Sequence, residues 1–556
     1  MEMHFATVWE SIADAIGDAP AVVQGERRYD WTLFEEESAR FAGFLRAHGI
    51  GGRATEPGVS QPKVGLYLYN SPEYLTAQFG ALKERCVPIN VNYRYLDAEL
   101  AYLIDNADLD VLVYHASLAD RVDRVKAASP NVRLWVEVDD IPGSTALHGS
   151  MPWADAVSSD PADRIRRSED DHYMLYTGGT TGMPKGVMYD MGSFCGGLLL
   201  GYPVVAQMPP PPTASAIAPT VVELRARLGK LPVSVPACPL MHGTGIWIGG
   251  FMPQHLGACV VLLTDRGFDA DELFRAVERE HVGMTTIVGD AFAKPMLRSL
   301  DAAVERGAAF DTSPLRFILS AGVMWSTEVK QRLLQHGDFV LADLLGSSEG
   351  SMGSTITTRE TLAAKSTETA AFGASPTTKV FIENAASWRE VVPGSGEIGM
   401  VAAGGSVPLG YYKDEAKSER TFRIVEGVRY SFPGDMAQVR ADGSLLLLGR
   451  GSNCINTAGE KVFPEEVEEA VKRHGAVLDC LVVGLPDEKF GERVVAVVSL
   501  ATTTTVDGSA LIAHVKSQLA GYKAPKQIVM VETVRRAPNG KADYAWAKET
   551  ARANVV

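Results

Sequence analysis

Residues 176–186 read Tyr-Thr-Gly-Gly-Thr-Thr-Gly-Met-Pro-Lys-Gly. The apolar run 173–176 leads into this stretch and shares Tyr176 with it. Glycines let a backbone approach an anion closely, threonine hydroxyls add hydrogen-bond donors, and a lysine supplies a positive charge. The apolar run predicts a strand that leads into a phosphate-binding loop. The stretch therefore indicates a nucleoside triphosphate as a substrate, and a flexible surface loop without a ligand is the alternative.

The position of Lys185 argues against the commonest phosphate loop. In the P-loop of ATPases, Gly-Lys is followed at once by Ser or Thr, whose hydroxyl reaches magnesium. Here Lys185 follows Pro184 and precedes Gly186. The chain is therefore not expected to be a P-loop ATPase.

The composition indicates a large enzyme with more than one domain. The chain has 556 residues, of which 46% are hydrophobic and 22% charged, so it can bury more than one core. Its formal net charge of −15 disfavours a nucleic-acid partner. The cysteines form no Cys-x-x-Cys pair, and no apolar run approaches the length of a membrane span. These features predict a cytoplasmic protein without an integral membrane segment, and they leave a homo-oligomer open.

Short apolar runs alternate with amphipathic stretches, as in residues 63–90. This alternation is typical of layered α/β structure with largely parallel sheets. A polar, glycine-bearing break at residues 448–453 interrupts the pattern. It predicts a large N-terminal domain at 1–449 and a small C-terminal domain at 450–556.

The phosphate-loop motif resembles that of the acyl-adenylate-forming superfamily, which includes acyl-CoA synthetases, firefly-type luciferases and peptide-synthetase adenylation domains. The family loop reads Tyr/Phe-Thr-Ser-Gly-Ser/Thr-Thr-Gly-x-Pro-Lys-Gly, and this chain departs from it only at Gly178, where serine is usual. The resemblance covers essentially the whole chain. It implies a large adenylate-forming domain of layered α/β subdomains and a small, mobile α+β C-terminal domain. The loop residues implied to bind ATP are Thr177, Gly178, Gly179, Thr180, Thr181, Gly182 and Lys185.

Residues 343–350 resemble the family's Tyr-Gly-x-Thr-Glu motif. By this resemblance Glu349 would bind Mg²⁺, which prefers carboxylate oxygen. Ser348 would donate to the α-phosphate, and Asp343 would meet the adenine amino group. Leu345 stands where tyrosine is usual, so an aliphatic side chain would pack against the adenine.

Four further segments complete the implied nucleotide and acyl sites. Gly322 lies in a stretch that resembles the glycine-rich strand end under the adenine. Asp435 and Arg450 match the two ribose-contacting positions, with Asp435 accepting from both hydroxyls. His242 resembles the residue that gates the acyl pocket, and Gly243 stands where amino-acid-activating domains place aspartate. The resemblance therefore implies a plain carboxylic acid as substrate.

The C-terminal part carries the remaining implied residues. Residues 455–468 resemble the family's coenzyme A loop, with Gly459 and Lys461 in it, and Lys541 resembles the terminal catalytic lysine. Ser452 occupies the hinge position, where Asp or Lys is usual. The implied reaction forms acyl-AMP and pyrophosphate from a small carboxylic acid and ATP. The small domain then turns, and the thiol of coenzyme A displaces AMP.

Other functions compete with this interpretation. Residues 346–350, Gly-Ser-Ser-Glu-Gly, fit the serine-hydrolase elbow with Ser348 as nucleophile and His474 or His514 downstream. Residues 394–399 fit G-x-G-x-x-G, but a strand-like run follows them, which disfavours dinucleotide binding. An adenylate-forming enzyme with an acceptor other than coenzyme A, such as a luciferase-type oxygenase, also stays open.

The acid itself is the least determined feature. Glycines at four candidate pocket positions, Gly243, Gly245, Gly350 and Gly353, leave volume for a bulky apolar acid or serve backbone turns. The motifs resemble those of actinobacterial synthetases that activate fatty acids and steroid side-chain acids. The resemblance therefore favours a hydrophobic acid.

Overall fold

The computed structural model describes the chain apart from residues 180–181, 324, 365–370, 385–386, 458–459, 488–490, 502–505, 537–539 and 555–556. The described residues form mixed α/β structure in which sheets alternate with helical layers. This arrangement confirms the predicted fold class of a large N-terminal and a small C-terminal α/β unit.

The largest sheet runs through most of the N-terminal part and joins a parallel half to an antiparallel half. The parallel half has nearly continuous apolar strands because both of its faces are covered. Its strands, with the antiparallel edge strand last, are Phe317–Ala321, Met284–Ile287, Val233–Pro236, Cys259–Leu262, Pro20–Gln24 and Arg27–Asp30. Those of the other half are Val340–Ser347, Gly350–Thr357, Ala371–Ala374, Leu445–Arg450, Asp435–Val439, Ile398–Ala403, Thr378–Asn384, Ser387–Glu390, Phe422–Val425 and Val428–Ser431.

Two smaller sheets complete the N-terminal part. One is parallel and consists of Val87–Asn90, Lys63–Tyr67, Leu109–His115, Leu134–Val138 and Met151–Pro152. The other is an antiparallel sheet made of Gly410–Tyr411, Gly182–Asp190 and His172–Gly179.

The C-terminal part has its own sheet and core. Its strands are Glu460–Val462, Ile455–Thr457, Gly491–Leu500, Val477–Asp487 and Gln527–Met530. Sheet membership changes between Arg450, which ends a strand of the largest sheet, and Ile455, which begins a strand of the C-terminal sheet.

The helices cover the sheets with amphipathic faces, as periodicity predicts. Helix Ala270–Glu280 shows the pattern, since the Asp269 carboxylate caps it and Leu273, Phe274 and Val277 are buried. The α-helices are Phe5–Ile16, Trp31–Ala47, Pro72–Lys83, Asp97–Asn106, Ala119–Lys126, Trp153–Ala156, Met191–Gly197, Ala214–Leu228, Met252–His255, Ala270–Glu280, Gly289–Glu305, Thr327–His336, Arg359–Ala364, Glu415–Thr421, Pro464–Lys472, Gly508–Gln518 and Tyr544–Asn554. Short 3₁₀ turns lie at Ala116–Leu118, Leu198–Leu200 and Gly451–Asn453, and π-helical segments at Tyr202–Ala206 and Thr244–Phe251. Within the described part of the chain, none of these helices has both the length and the apolar character needed to cross a membrane.

Candidate active site

The predicted phosphate loop is the tip of an antiparallel hairpin. Strands His172–Gly179 and Gly182–Asp190 pair so that Thr177 lies opposite Lys185. The lysine therefore returns beside the strand that begins the loop, which places its charge near the tip. Thr180 and Thr181 lie outside the described residues, whereas Gly178 lines a large cleft.

Lys185 and Glu349 form an ion pair, and Glu349 is close enough to two cleft residues, Asp435 and Lys541, to shift their pKa values. The Lys185 Nζ lies 3.1 Å from Oε1 of Glu349 and 4.0 Å from the centre of the Tyr411 ring. The Tyr411 hydroxyl donates a 2.7 Å hydrogen bond to the same carboxylate oxygen. Burial alone would raise the pKa of Glu349, but Lys185 and Tyr411 outweigh it and the pKa is lowered. Glu349 is therefore a buried carboxylate held in its ionised form.

The turn that carries Ser348 and Glu349 connects two antiparallel strands, Val340–Ser347 and Gly350–Thr357. The Tyr189 hydroxyl fixes this turn through a 2.9 Å hydrogen bond to the Ser348 carbonyl. A hydrolase elbow requires a strand followed by a helix. The alternative in which Ser348 is a hydrolase nucleophile therefore has no support from the local geometry.

Asp343 and Gly322, which were predicted to lie beside the adenine, both line the same cleft. Asp343 is buried on strand Val340–Ser347 and accepts a 2.9 Å hydrogen bond from Lys330. Burial raises the pKa of Asp343, and Lys330 opposes that rise. Gly322 follows the neighbouring strand with a φ of +90°, a conformation that favours glycine. One Asp343 oxygen is thus engaged by Lys330, an interaction that sequence reasoning missed.

Asp435 and Arg450 face each other across paired strands. Their side chains approach to 3.7 Å, and the second oxygen of Asp435 is buried without a hydrogen-bond partner among the described residues. Burial raises the pKa of Asp435, whereas Arg450 and Lys541 lower it. An unsatisfied buried acceptor at the cleft wall fits a hydroxyl donor such as a ribose.

Lys541 reaches this cleft from the C-terminal part. Desolvation by the surrounding protein, followed by Arg450, lowers the pKa of Lys541, while Glu349 and Asp435 act in the opposite direction. The preceding Gly540 has a φ of +77°, and a Cβ there would lie 3.0 Å from the Cβ of Ala291. The backbone therefore packs tightly against the N-terminal part just before the lysine.

Arg536 holds the segment that presents Lys541. Its guanidinium makes hydrogen bonds of 2.6 and 2.7 Å to the Asp479 carboxylate and a 3.3 Å bond to the Gly540 carbonyl. Arg536 also pairs with Ala542 in an isolated antiparallel bridge. These contacts hold Gly540 and Ala542, on either side of Lys541, against Arg536, and residues 537–539 lie outside the described residues.

The cleft between the two parts has a volume of about 450 Å³. It brings together six predicted residues, Gly178, Gly322, Asp343, Asp435, Arg450 and Lys541. Two family models match the chain in the corresponding parts: "AMP-binding enzyme" over residues 9–412 and "AMP-binding enzyme C-terminal domain" over residues 466–541.

The chain belongs to the AMP-binding enzyme family.

Three curated relatives extend this assignment over nearly the whole chain. A medium-chain acyl-CoA ligase of Mycobacterium avium is 40% identical, covering 98% of this chain and 97% of the relative. A medium/long-chain-fatty-acid and 3-oxocholest-4-en-26-oate CoA ligase of Mycolicibacterium smegmatis is 37% identical over 99% and 96% of the two chains. A 3-oxocholest-4-en-26-oate CoA ligase of Rhodococcus rhodochrous is also 37% identical, over 99% and 96%.

Solved structures support the fold of this AMP-binding enzyme. The anthranilate CoA ligase AuaEII, crystallised with anthranoyl-AMP, has a TM-score of 0.81 with 19% identity over 99% of this chain and 97% of that one. ATP-bound MatB from Rhodopseudomonas palustris has a TM-score of 0.78 with 21% identity over 98% and 99%. Because these identities are low, the two structures establish the fold alone.

His242 lies immediately before the π-helical segment Thr244–Phe251 of the AMP-binding enzyme. Burial, then Lys541 and Arg94, lower the pKa of His242 to about 3, and its Nε2 has no hydrogen-bond partner among the described residues. The imidazole is therefore neutral at physiological pH. Lys541 is thus close enough to act on the charge of His242, although His242 is not among the described residues that line the cleft.

The contacts of the four glycines that were candidate pocket positions are explained by backbone packing. A Cβ on Gly245 would collide with the Pro239 carbonyl, and one on Gly353 would collide with the Gly373 carbonyl. A Cβ on Gly243 would approach the Trp247 ring to 3.0 Å, and Gly350 has a φ of +152°. Of the two interpretations that the sequence allowed, backbone packing is the one that the contacts support.

In the described part of the chain, the predicted coenzyme A loop reaches the cleft only at its C-terminal end, where Glu465, Glu466 and Glu468 are among the lining residues. Lys461 is exposed on the short strand Glu460–Val462 and is not among the described residues that line the cleft, while Gly459 lies outside the described residues. Sequence reasoning also missed Tyr411, which contacts Glu349, and Arg536, which contacts the turn before Lys541. The only signal for Arg536 was its place five residues before Lys541.

Proposed function

We propose that this AMP-binding enzyme joins a hydrophobic carboxylic acid to coenzyme A, through an acyl-AMP intermediate, with release of AMP and pyrophosphate. The observation that carries the proposal is the meeting of Lys185, Glu349, Asp435 and Lys541 at one cleft between the two parts of the chain. The full-length relatives named as acyl-CoA ligases support the reaction class.

The first half-reaction requires attack by one anion on another. The substrate carboxylate approaches an α-phosphate that already carries negative charge, so fixed positive groups must stabilise both. Lys185 stands on the phosphate hairpin, and Lys541 enters from the opposite side of the cleft. Asp435 would accept from the ribose hydroxyls through its unsatisfied oxygen, and Ser348 would donate to the α-phosphate.

Glu349 fits a magnesium ion because its carboxylate is buried, ionised and placed beside the phosphate hairpin. Bound there, the ion would neutralise phosphate charge. Without it, Lys185 and Tyr411 occupy the carboxylate oxygen and keep it oriented toward the cleft.

The second half-reaction requires the C-terminal domain, taken as residues 450–556, to turn. In the present arrangement Lys541 is at the cleft and Lys461 is exposed elsewhere. Rotation of this domain would withdraw Lys541 and bring Gly459 and Lys461 toward coenzyme A. One cleft would then serve both half-reactions.

The acid is proposed to be a medium- or long-chain fatty acid or a steroid side-chain acid, as the relatives' names state for those proteins. Trp247, five residues after His242, packs against the aromatic part of the hydrophobic core. The Trp247 Nε1 donates a 2.8 Å hydrogen bond to the Tyr173 hydroxyl, and the Trp247 ring packs against Phe194 at 5.1 Å. Gly243 offers no carboxylate for an amino group.

The test is pyrophosphate release from ATP across a panel of linear and steroidal acids, with and without coenzyme A, followed by mass analysis of AMP and thioester. Acid-dependent AMP with a matching thioester is the expected result. Formation of acyl-AMP without a thioester would mean that the acyl group is transferred to an acceptor other than coenzyme A. Absence of ATP turnover with every acid, beside ester hydrolysis in a parallel assay, would overturn the proposal.

A further inference from the structure

Glu465 touches the connection between the two parts of the molecule. It lies in the first turn of helix Pro464–Lys472, which packs in the C-terminal core. Its carboxylate rests directly against Gly449, in the strand Leu445–Arg450 of the largest sheet, and any Cβ at Gly449 would collide with it. Gly449 has a φ of +113°. The contact therefore joins a C-terminal helix to the last residues of the N-terminal sheet, across the proposed hinge.

The Glu465 carboxyl has few hydrogen-bond donors around it to stabilise a negative charge. Its Oε2 is buried without a hydrogen-bond partner among the described residues, and the side chain lines the cleft that holds Asp435 and Lys541. The backbone of Arg450 supplies a hydrogen bond to the carboxyl. The backbone of Glu465 itself supplies a second hydrogen bond. Two backbone donors and one unpartnered oxygen still make this a costly place for a full negative charge.

Charged and titratable groups face Glu465 from every element packed around it. They are Glu468 on its own helix, Asp435 and Arg450 on two strands of the largest sheet, Cys454 in the connecting segment, and Tyr544 on the last helix. Burial comes first, followed by Glu468 and more weakly Asp435, and together they raise the pKa of Glu465 to about 7. The Arg450 backbone lowers this pKa without reversing the shift.

We infer that Glu465 is a positioning residue that holds the C-terminal domain against Gly449 and Arg450 while its carboxyl is protonated, and that ionisation of this carboxyl favours departure of the domain. The inference rests on the proposed function, since it assigns a control to the rotation between the two half-reactions. Rotation would break the contact because Gly449 lies in a strand of the largest sheet, whereas Glu465 lies on a helix that packs in the C-terminal core.

The direction of the pH effect follows from the raised pKa. Below the ordinary glutamic acid value of 4.5 the carboxyl is protonated in both arrangements, and its contribution to the present arrangement is complete. The stabilisation that Glu465 gives to the present arrangement falls as the pH rises toward about 7, and above that pH it stays at its lowest level. Between pH 5.5 and 8 the equilibrium between the two arrangements should therefore shift by about 30-fold toward the rotated one.

The test measures domain arrangement without any substrate. Spin labels are placed at exposed positions of the two domains through Glu305→Cys and Ala510→Cys, with Cys454→Ser in every variant, and their separation is measured by pulsed electron paramagnetic resonance from pH 5.5 to 8. The population with the present separation should decline as the pH rises. Glu465→Gln should abolish that decline and keep the population high at pH 8, because the amide is neutral and of the same size.

Glu466→Gln is the matched control for the distance measurement. Glu466 neighbours Glu465 but pairs with Lys523 inside the C-terminal domain, at 2.7 Å. This variant should keep the pH dependence of the unaltered protein. Populations that do not change with pH, or that change equally in Glu465→Gln, would overturn the inference.

A kinetic measurement connects the arrangement to the reaction. The ratio of acyl-AMP formation to thioester formation from supplied acyl-AMP should fall with rising pH in the unaltered protein and stay flat in Glu465→Gln. If no acid is activated, the proposed function is wrong, and the distance measurement still tests the inference about Glu465 because it needs no substrate. If both half-reactions proceed with the same pH dependence in both proteins, the inference about Glu465 fails alone.

Discussion

The two sides of the cleft hold their lysines by different means. Lys185 lies on a long hairpin and is engaged by Glu349 and by the Tyr411 ring, all within the N-terminal part. Lys541 directly follows Gly540, whose carbonyl accepts a hydrogen bond from Arg536 and whose backbone packs against Ala291. Lys185 is fixed by side chains of its own part of the chain. Lys541 is placed by a backbone contact between the two parts, which the proposed domain rotation would release. The comparison suggests that only the second lysine is specific to one half-reaction.

Replacing Lys541 is expected to have the largest effect. Lys541→Ala should lower acyl-AMP formation about 10²- to 10³-fold, the usual cost of losing one preorganised group at developing charge. Thioester formation from supplied acyl-AMP should change little, because the proposed rotation would withdraw Lys541 from the cleft before that step. Separate single-turnover assays of the two half-reactions measure the difference.

The control for this variant is Lys548→Ala, which removes a lysine from the last helix of the same domain. It should leave both half-reactions unaltered. Equal losses of both half-reactions in Lys541→Ala would contradict the division of labour between the two lysines.

Gly540→Ala tests the backbone contact by itself. The left-handed conformation costs an L-residue ~1–2 kcal/mol, and the new methyl group would press on Ala291. Acyl-AMP formation should fall about tenfold while the thioester step is retained. Gly521→Ala is the matched control, because a Cβ there meets nothing within 4 Å. Full adenylation activity in Gly540→Ala would show that this contact does not place the lysine.

Tyr411→Phe tests the fixed side of the cleft. Loss of a hydrogen bond to a charged group costs ~1.5–3 kcal/mol, so acyl-AMP formation should fall by about tenfold or more. The hydroxyl helps to lower the pKa of Glu349, so its removal raises that pKa. The acid limb of the adenylation pH profile should therefore move to higher pH.

Tyr412→Phe is the control for this shift, since the Tyr412 hydroxyl bonds to Asp108 instead, at 2.6 Å. The pH profile of that variant should match the unaltered enzyme. An unchanged acid limb in Tyr411→Phe would remove Glu349 as the group that limits adenylation at low pH.

The predicted residues that the structure brings to the cleft or beside it lie in short, contiguous motifs. The hairpin around Lys185 and the turn at Glu349 both keep a recognisable order of residues, so their positions could be predicted together. The Tyr411–Glu349 contact could not, because the two residues are 62 positions apart and meet only through pairing of Gly410–Tyr411 with the hairpin. The elbow motif at Ser348 kept the hydrolase open as an alternative, because the five residues of the motif do not by themselves specify the strand Gly350–Thr357 that follows.

Leu345→Tyr gives the smallest expected effect and addresses the main departure from the family motif. Leu345 lines the cleft and packs beside Met352 and Phe372, so an aromatic ring there would face the adenine. Stacking is worth ~0.5–1.5 kcal/mol, which corresponds to about a two- to tenfold lower Kd for ATP. Calorimetric titration with ATP and with inorganic triphosphate separates the contributions, since only ATP carries the base. A thermal melt accompanies it, because added bulk in a packed cluster costs ~1–3 kcal/mol of folding free energy. Equal changes in affinity for the two ligands would mean that position 345 does not contact the adenine, and the aliphatic residue would then be explained by core packing alone.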